Sequence, residues 1–241
     1  MRAVLTFHGV DESGSVLSLR REELRRLLRG VRASCHELVS LESLLTEPDR
    51  PDRVALTFDD GFRSVHDAAL PVLREEDAPA TLFLTSGHVG GRNDWRSQPA
   101  WAPRFPMLSW AQIEALAEAG VAIEAHTVSH PDLTGLPDDA VREELESCCG
   151  VIEARLGRRP QAFAYPYGRF DGRVAGLASE AFRWSLTTRM AALDGPAPDP
   201  HRIPRLDTFY LREGWLQDRF GSAAFRGVVN LRAALRRLRG G

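Results

Sequence analysis

The sequence TFDDG at residues 57–61 decides how the rest of the chain is interpreted. It follows an apolar run at residues 54–56 that is rich in strand formers and predicts a buried strand. Two adjacent carboxylates, Asp59 and Asp60, stand just after that strand. Neighbouring negative charges repel, and one of the two groups takes up a proton unless a cation lies between them. The motif therefore predicts a bound cation whose other ligands come from elsewhere in the chain.

Two histidines in the sequence HTVSH supply the matching ligands. A strand-like run at residues 121–125 delivers His126 and His130, and Pro131 follows the second histidine. A residue before proline is disfavoured in the helical conformation, so the segment is predicted to be a turn rather than the helix of an HExxH zinc site. One carboxylate and two imidazoles leave a position open for water, as in catalytic zinc sites. Either motif alone would be explained better by an ordinary polar turn or loop.

Composition limits the classes of function. The chain has 241 residues and a net charge of −2, which suits one α/β barrel or two small domains and gives no basic surface for nucleic acid. All 31 basic residues are arginine, so Schiff-base lysines and the P-loop lysine are excluded. The three cysteines form no CxxC motif and indicate neither a disulfide framework nor a thiolate metal site.

Apolar runs in the chain are short. None approaches the roughly 18 residues of a membrane span, and the apolar residues after Met1 are too few for a signal peptide. On these grounds the sequence predicts a protein without an integral membrane segment, located in the cytoplasm.

Short apolar strands alternate with amphipathic helices, which predicts an α/β domain with parallel strands. The first strand, AVLTFHG, echoes VALTFDDG fifty residues later, so His8 should lie at the same rim as Asp59. Active sites of such folds collect at that rim, the carboxyl ends of the strands. Strands are predicted at residues 3–7, 54–56, 81–84, 121–125, 162–164 and 181–186, and helices at 18–29, 64–76, 109–119, 138–156 and 225–239.

A long segment rich in glycine and proline, residues 86–106, separates two of these elements. A loop of this length inside a compact domain is usually functional or disordered. Its tryptophans, Trp95 and Trp101, suit either of two roles: stacking on sugar rings or packing beneath the loop.

Four motifs in order carry a family resemblance: TFDDG, HTVSH, FAYPYG at residues 163–168 and FRWSLTT at residues 182–188. Together they resemble the polysaccharide deacetylase family, carbohydrate esterase family 4, also called the NodB-homology domain. FAYPYG with an N-terminal histidine is similar to its poly-N-acetylglucosamine deacetylase branch. The resemblance implies a deformed (β/α)7-type barrel with parallel strands, as one domain over residues 1–241 in which 210–241 form a C-terminal helical tail.

The resemblance also implies the chemistry, which is metal-dependent removal of N-acetyl groups from a sugar or polysaccharide. Asp60, His126 and His130 would hold the metal, usually Zn²⁺, with Co²⁺ or Ni²⁺ as alternatives, and Asp59 would be the base. The backbone N–H of Tyr167 would stabilise the tetrahedral oxyanion. The residue chemistry agrees, because a cation on Asp60 cancels the repulsion that would otherwise protonate Asp59.

The chain departs from the family pattern at two positions. Many relatives supply the general acid from a Leu-x-His motif near the C-terminus, which this chain lacks. His8 can fill that role as a permuted equivalent, and His201 is the alternative. Where relatives carry an arginine that orients the catalytic aspartate, this chain has Ala164. We hypothesise that Arg205 substitutes for it.

Several further assignments stay open at this point. Trp184 and Leu206 are candidates for an apolar wall around the acetyl methyl group, and core packing is an equal alternative for Trp184. Thr127 is predicted to fix the loop between the two histidines by a side-chain bond. Beside the leading function stand two alternatives, another metal-dependent hydrolase on the same barrel and a non-catalytic carbohydrate-binding relative.

Overall fold

A sheet of parallel strands forms the centre of the computed structural model, which describes residues 1–194 and 198–238. The strands of this part of the chain are β1 (Ala3–Phe7), β2 (Gly9–Val10), β3 (Ser18–Leu19), β4 (Glu37–Leu38), β5 (Arg53–Phe58), β6 (Ala80–Leu84), β7 (Ala122–Ala125), β8 (Ala162–Ala164), β9 (Trp184–Leu186) and β10 (Leu206–Asp207). The helices are α1 (Arg21–Ala33), α2 (Leu41–Thr46), α3 (Leu70–Glu75), α4 (Trp110–Glu118), α5 (Asp138–Leu156), α6 (Gly172–Ala181), α7 (Gly214–Gln217) and α8 (Ala223–Leu238).

The main sheet curls into the predicted deformed (β/α) barrel. Its neighbouring strands follow the order β10-β1-β5-β6-β7-β8-β9, with β4 beside β5, and every pair is parallel. Ile203 forms a parallel bridge with Leu186 of β9, and a few residues later Leu206 pairs with Leu5 of β1. The segment 203–207 therefore joins the last strand of the series to the first.

Alternation along the strands divides the core into two clusters, because successive side chains of a strand point to opposite faces. One cluster lies inside the curl, and it includes Val4, Ala55, Phe83 and Leu186. The larger cluster lies between the sheet and the helices, and it includes Leu5, Leu56, Leu82 and Phe163. Thr57 follows the alternation of Ala55 and therefore faces the interior of the curl, as Asp59 does one step beyond the strand.

Several predicted element boundaries differ from the observed ones; for example, the helix predicted to end at residue 29 continues to Ala33. The helix predicted from residue 18 begins at Arg21, because Ser18 belongs to β3 and its hydroxyl donates to Asp11 at 2.7 Å. The strand predicted from residue 181 begins at Trp184, because α6 extends through Ala181.

Pro71 changes the helix predicted over residues 64–76. Proline has no N–H to continue an α-helical ladder. Here a π-helical turn at Val65–Ala69 precedes α3, which has Pro71 in its first turn.

The C-terminal tail packs on the barrel through α8. Phe225, Val229 and Ala233 of this helix are buried in the larger core cluster. The prediction placed its end at Arg239, which lies outside the described residues. Among the helices described, none combines the length and the apolar character that crossing a bilayer requires.

Residues 86–106 form an ordered loop. Antiparallel bridges join Phe62 to Met107 and Arg92 to Pro106. The two tryptophans of the loop differ sharply, because Trp95 is only 5% exposed whereas Trp101 is 74% exposed. Trp95 therefore packs beneath the loop, which was one of its two predicted roles, and Trp101 is exposed on the surface.

Candidate active site

His8 directly follows the end of β1, and the acidic pair directly follows the end of the adjacent strand β5, at the same height in the sheet. Phe7 of β1 lies opposite Phe58 of β5, and the backbone N–H of Asp59 donates to the carbonyl of Phe7 at 2.9 Å. The next residues, His8 and Asp59, therefore stand side by side at the carboxyl rim. This is the rim where the sequence predicted them.

Asp60, His126 and His130 converge at this rim. Asp60 Oδ1 lies 3.4 Å from His126 Nε2 and 3.3 Å from His130 Nε2. One ligand atom from each residue can be chosen so that all three lie within 4.8 Å of one another, and all three side chains are buried. The structure thus brings together the three residues predicted as metal ligands.

The hydrogen bond of His126 Nδ1 leaves its Nε2 facing Asp60 in an arrangement that suits a cation between the two groups. Its Nδ1 lies 2.7 Å from the carbonyl oxygen of Ala164, which can only accept, so Nδ1 carries a hydrogen. In the neutral ring, Nε2 then directs a lone pair at the Asp60 carboxylate. Two lone pairs at this distance repel unless a proton or a metal ion lies between them. The donor set of one carboxylate and two imidazoles is one that zinc accepts.

Electrostatics keeps Asp60 ionised. Burial alone would raise the pKa of its carboxyl group, but the imidazoles of His126 and His130, which donate to it when their Nε2 atoms carry a proton, hold that pKa well below the ordinary value. A buried anion faces two imidazoles, which favours a cation at this point.

Two of the predicted ligands and the threonine between the histidines sit on strained backbone. Asp60, Thr127 and His130 have φ values of 73°, 69° and 55°, a left-handed region that residues other than glycine seldom adopt. Thr85 N–H donates to the carbonyl of Asp60 at 3.1 Å, and Thr127 Oγ1 accepts from His130 N–H at 3.0 Å. The predicted loop-fixing bond of Thr127 is therefore present in the structure.

Glu144 of α5 fixes the same loop from outside. Its carboxylate accepts the backbone N–H groups of Val128 and Ser129 at 2.8 and 2.9 Å and the Ser129 hydroxyl at 2.5 Å. The sequence offered no signal for this residue, because it lies on a long helix among several other acids.

Arg205 clamps Asp59. Its Nη1 and Nη2 donate to the two carboxylate oxygens of Asp59, each at 2.7 Å, and its Nε donates to the carbonyl of Thr187 at 3.0 Å. Both side chains are buried. Burial alone would raise the pKa of Asp59, but the Arg205 guanidinium and the imidazoles of His126 and His8 hold it below the ordinary value. The hypothesised partner of Asp59 thus contacts it in the bidentate geometry that arginine provides.

Replacing Arg205 with alanine should lower the free energy of unfolding by about 3–5 kcal/mol, because the change leaves the Asp59 carboxylate buried without its counterion. Urea denaturation measures the loss. Arg202→Ala is the matched control, since this exposed arginine pairs with Asp199 at 3.4 Å and such a pair contributes less than about 1 kcal/mol. Equal losses in the two variants would contradict the assignment.

Tyr167 occupies a tight turn beside the cluster. Its φ is 58° within the short helical turn Pro166–Gly168, and its ring lies 4.6 Å from that of His130. In the described part of the chain its backbone N–H has no hydrogen-bond acceptor. Gly168 has a φ of 68°, and a Cβ there would lie 2.0 Å from Thr188 Oγ1. The turn therefore needs glycine and leaves one N–H free to bind a ligand.

Three other predicted residues lie away from this cluster. His201 Nδ1 is 3.2 Å from Ser185 Oγ, and its carbonyl accepts the Tyr165 hydroxyl, so it lies below the rim. Leu206 is fully buried in the cluster beneath the helices, and it cannot line the site. Trp184 begins β9 and packs in the inner cluster, so the core-packing alternative holds for it.

Comparison with known proteins defines the family. The model of the polysaccharide deacetylase family matches residues 46–181, more than half of the chain. This protein therefore belongs to the polysaccharide deacetylase family, as the four motifs implied.

Two individual relatives share a quarter or less of their aligned residues with this chain. The poly-beta-1,6-N-acetyl-D-glucosamine N-deacetylase of Staphylococcus epidermidis is 25% identical over 206 residues, which cover 78% of this chain and 67% of that protein. YxkH of Bacillus subtilis is 23% identical over 195 residues, and the match spans 78% of this chain and 65% of YxkH. The fold is shared with the Streptococcus pyogenes deacetylase PplD, solved in complex with acetate, at a TM-score of 0.74 and 21% identity, with 90% of this chain and 97% of that chain covered.

Proposed function

We propose that this protein is a metal-dependent N-deacetylase that releases acetate from an N-acetylated glycan. The observation that carries the proposal is the buried group of Asp60, His126 and His130 beside an arginine-clamped Asp59. The names of the relatives support it, since one acts on a poly-N-acetylglucosamine and another was solved with acetate. We assign the activity to a single domain over residues 1–241, with 210–241 as its C-terminal tail.

Asp60, His126 and His130 would hold the metal, and zinc suits these ligands best, with Co²⁺ or Ni²⁺ as substitutes. When bound, the ion supplies Lewis-acid activation of water and of the amide carbonyl. The hydrogen bond from His126 Nδ1 to the Ala164 carbonyl fixes the tautomer of this ring and turns Nε2 towards the site.

Asp59 would act as the general base. Its carboxylate takes a proton from the attacking water while Arg205 holds both of its oxygens in place. The bidentate contact also keeps Asp59 ionised before the reaction. Arg205 is therefore a positioning residue for Asp59.

Tyr167 and His8 would complete the reaction. The free N–H of Tyr167 donates to the oxygen on which negative charge develops when the amide is attacked. The departing amine then needs a proton, and His8 stands beside Asp59 at the rim where it can deliver one. His201 lies below the rim, which favours His8 over the alternative acid.

Acetate release from a panel of N-acetylated glycans tests the proposal. Chitooligosaccharides and poly-N-acetylglucosamine should be offered to the protein before chelation, after chelation, and after Zn²⁺, Co²⁺ or Ni²⁺ is restored. We expect release to fall to background after chelation and to return with the metal, because the cation activates the water. His126→Ala removes a predicted metal ligand and serves as the control: added metal should not restore its acetate release, unless the metal acts elsewhere on the protein.

Two outcomes would favour the alternatives. If the protein binds glycan but releases no acetate with any of the added metals, it is a non-catalytic carbohydrate-binding relative. Metal-dependent cleavage of an aryl phosphate without acetate release would make it a different hydrolase on the same barrel.

A further inference from the structure

The two histidines at the predicted metal site are oriented by different means. The ring of His126 is fixed by its own hydrogen bond from Nδ1 to Ala164. The Nδ1 of His130 is buried and has no hydrogen-bond partner in the described part of the chain. Histidine ligands normally use the second ring nitrogen to fix their orientation. The ring of His130 must therefore be held by its neighbours.

Trp95 provides one of these neighbouring surfaces. Its ring stacks on that of His130 with centroids 4.3 Å apart and planes 28° from parallel. The ring of Tyr167 meets His130 edge-on at 4.6 Å. Aromatic pairs in these arrangements contribute beyond the apolar area they bury, and two of them leave the imidazole little freedom to rotate.

The same loop also holds the turn that contains Tyr167. Trp95 Nε1 donates to the Tyr167 hydroxyl oxygen at 3.1 Å, and that hydroxyl lies 2.9 Å from Ser97 Oγ and 3.0 Å from Ser97 O. Ser97 Oγ in turn donates to the carbonyl of His130 at 2.7 Å. A closed set of contacts thus runs from Trp95 to Tyr167, Ser97 and His130.

We propose that Trp95 and Ser97 are positioning residues that hold the metal ligand His130 and the Tyr167 turn in register with each other. Packing against Trp95 replaces the missing hydrogen bond on His130 Nδ1. The bonds through Ser97 and the Tyr167 hydroxyl set where the free N–H of Tyr167 lies relative to that ligand. The Tyr167 half of the proposal rests on the proposed deacetylase function, whereas the His130 half concerns metal affinity alone.

The loop 86–106 offers a matched pair of tryptophans for the test. Trp95→Leu removes the stacking surface and the indole donor, whereas Trp101→Leu removes a side chain that is 74% exposed. Co²⁺ titration of the protein, followed by visible absorption, reports both affinity and ligand geometry. We expect Trp95→Leu to weaken Co²⁺ binding by about 10–100-fold and to alter the spectrum, as loss of an outer partner of a ligand does. Trp101→Leu should match the wild type.

Trp95→Phe separates the two halves of the proposal. Phenylalanine keeps an aromatic face against His130, although a smaller one, and loses the indole donor to Tyr167. It should therefore bind Co²⁺ within about threefold of wild type and lower kcat for acetate release by about tenfold, which corresponds to one lost oxyanion-aligning contact of about 1.4 kcal/mol.

Ser97→Ala keeps the test decisive if Trp95→Leu does not fold. It removes the bond to the His130 carbonyl and should weaken Co²⁺ binding severalfold with a shifted spectrum. Folded Trp95→Leu or Ser97→Ala protein with wild-type Co²⁺ affinity and spectrum would overturn the proposal. Weakened Co²⁺ binding in a protein whose wild type releases no acetate would retain the role of Trp95 towards His130 and reject the deacetylase function.

Discussion

Asp59→Asn should lower kcat for acetate release by about 10⁴-fold while the protein still binds one metal ion with near wild-type affinity. Asparagine has the same shape and can still accept a hydrogen bond from Arg205, but its amide cannot take a proton from water. The loss should therefore fall on turnover. The measurement is steady-state kcat together with metal content after gel filtration.

The adjacent position provides the contrast for this variant. Asp60→Asn should lose the metal, because Asp60 is the carboxylate that faces both imidazoles. The two neighbouring substitutions thus separate proton transfer from metal binding. Strong metal loss in Asp59→Asn, or turnover within tenfold of wild type, would remove Asp59 from the role of base. Urea denaturation should accompany both assays, because Asp59→Asn leaves the buried Arg205 without a full counterion.

His8→Ala should lower kcat on N-acetylated glycans by about 10³-fold and leave metal content unchanged. A sugar amine is a poor leaving group unless it receives a proton as the bond breaks. An aryl acetate ester has a leaving group that needs no proton, so its hydrolysis should fall by less than about tenfold in the same variant. Parallel assays on the two substrates therefore test proton donation directly.

Other histidines serve as controls for this prediction. His66 pairs with Asp67 on the surface, and His66→Ala should behave as wild type. His201→Ala should also keep its turnover, because His201 lies with Ser185 below the rim. Wild-type turnover in His8→Ala combined with a large loss in His201→Ala would transfer the acid role to His201.

Local patterns in the sequence were enough to predict that an acidic pair and two histidines meet at one rim, whereas the choice of Asp60 over Asp59 as the ligand came from the family resemblance. TFDDG and HTVSH each end a strand-like run, and parallel strands bring their carboxyl ends together, so Asp60, His126 and His130 were expected to meet. Arg205 was inferred only because Ala164 occupies the usual arginine position. Its contact with Asp59 follows from a pairing 146 residues apart that no local pattern encodes.

The errors have physical causes that a linear pattern does not contain. Leu206 was placed at the site although the register with Leu5 turns it towards the helices. The helix was predicted to begin at Ser18 because the bond from Ser18 to Asp11 depends on the fold of the preceding turn, which the local pattern does not show. The role proposed for Trp95 was equally hidden, since composition alone does not distinguish it from Trp101.

The segment 203–207 has a consequence for how the protein acquires its chemistry. Arg205 lies on the stretch that connects the final strand of the series with the first one, so its contact with Asp59 depends on the position of that closing stretch. In a chain where this segment is not in place, Asp59 has no contact with Arg205. Organisation of the proposed catalytic base thus depends on the closure of the barrel, and a chain that ends before residue 205 cannot provide it.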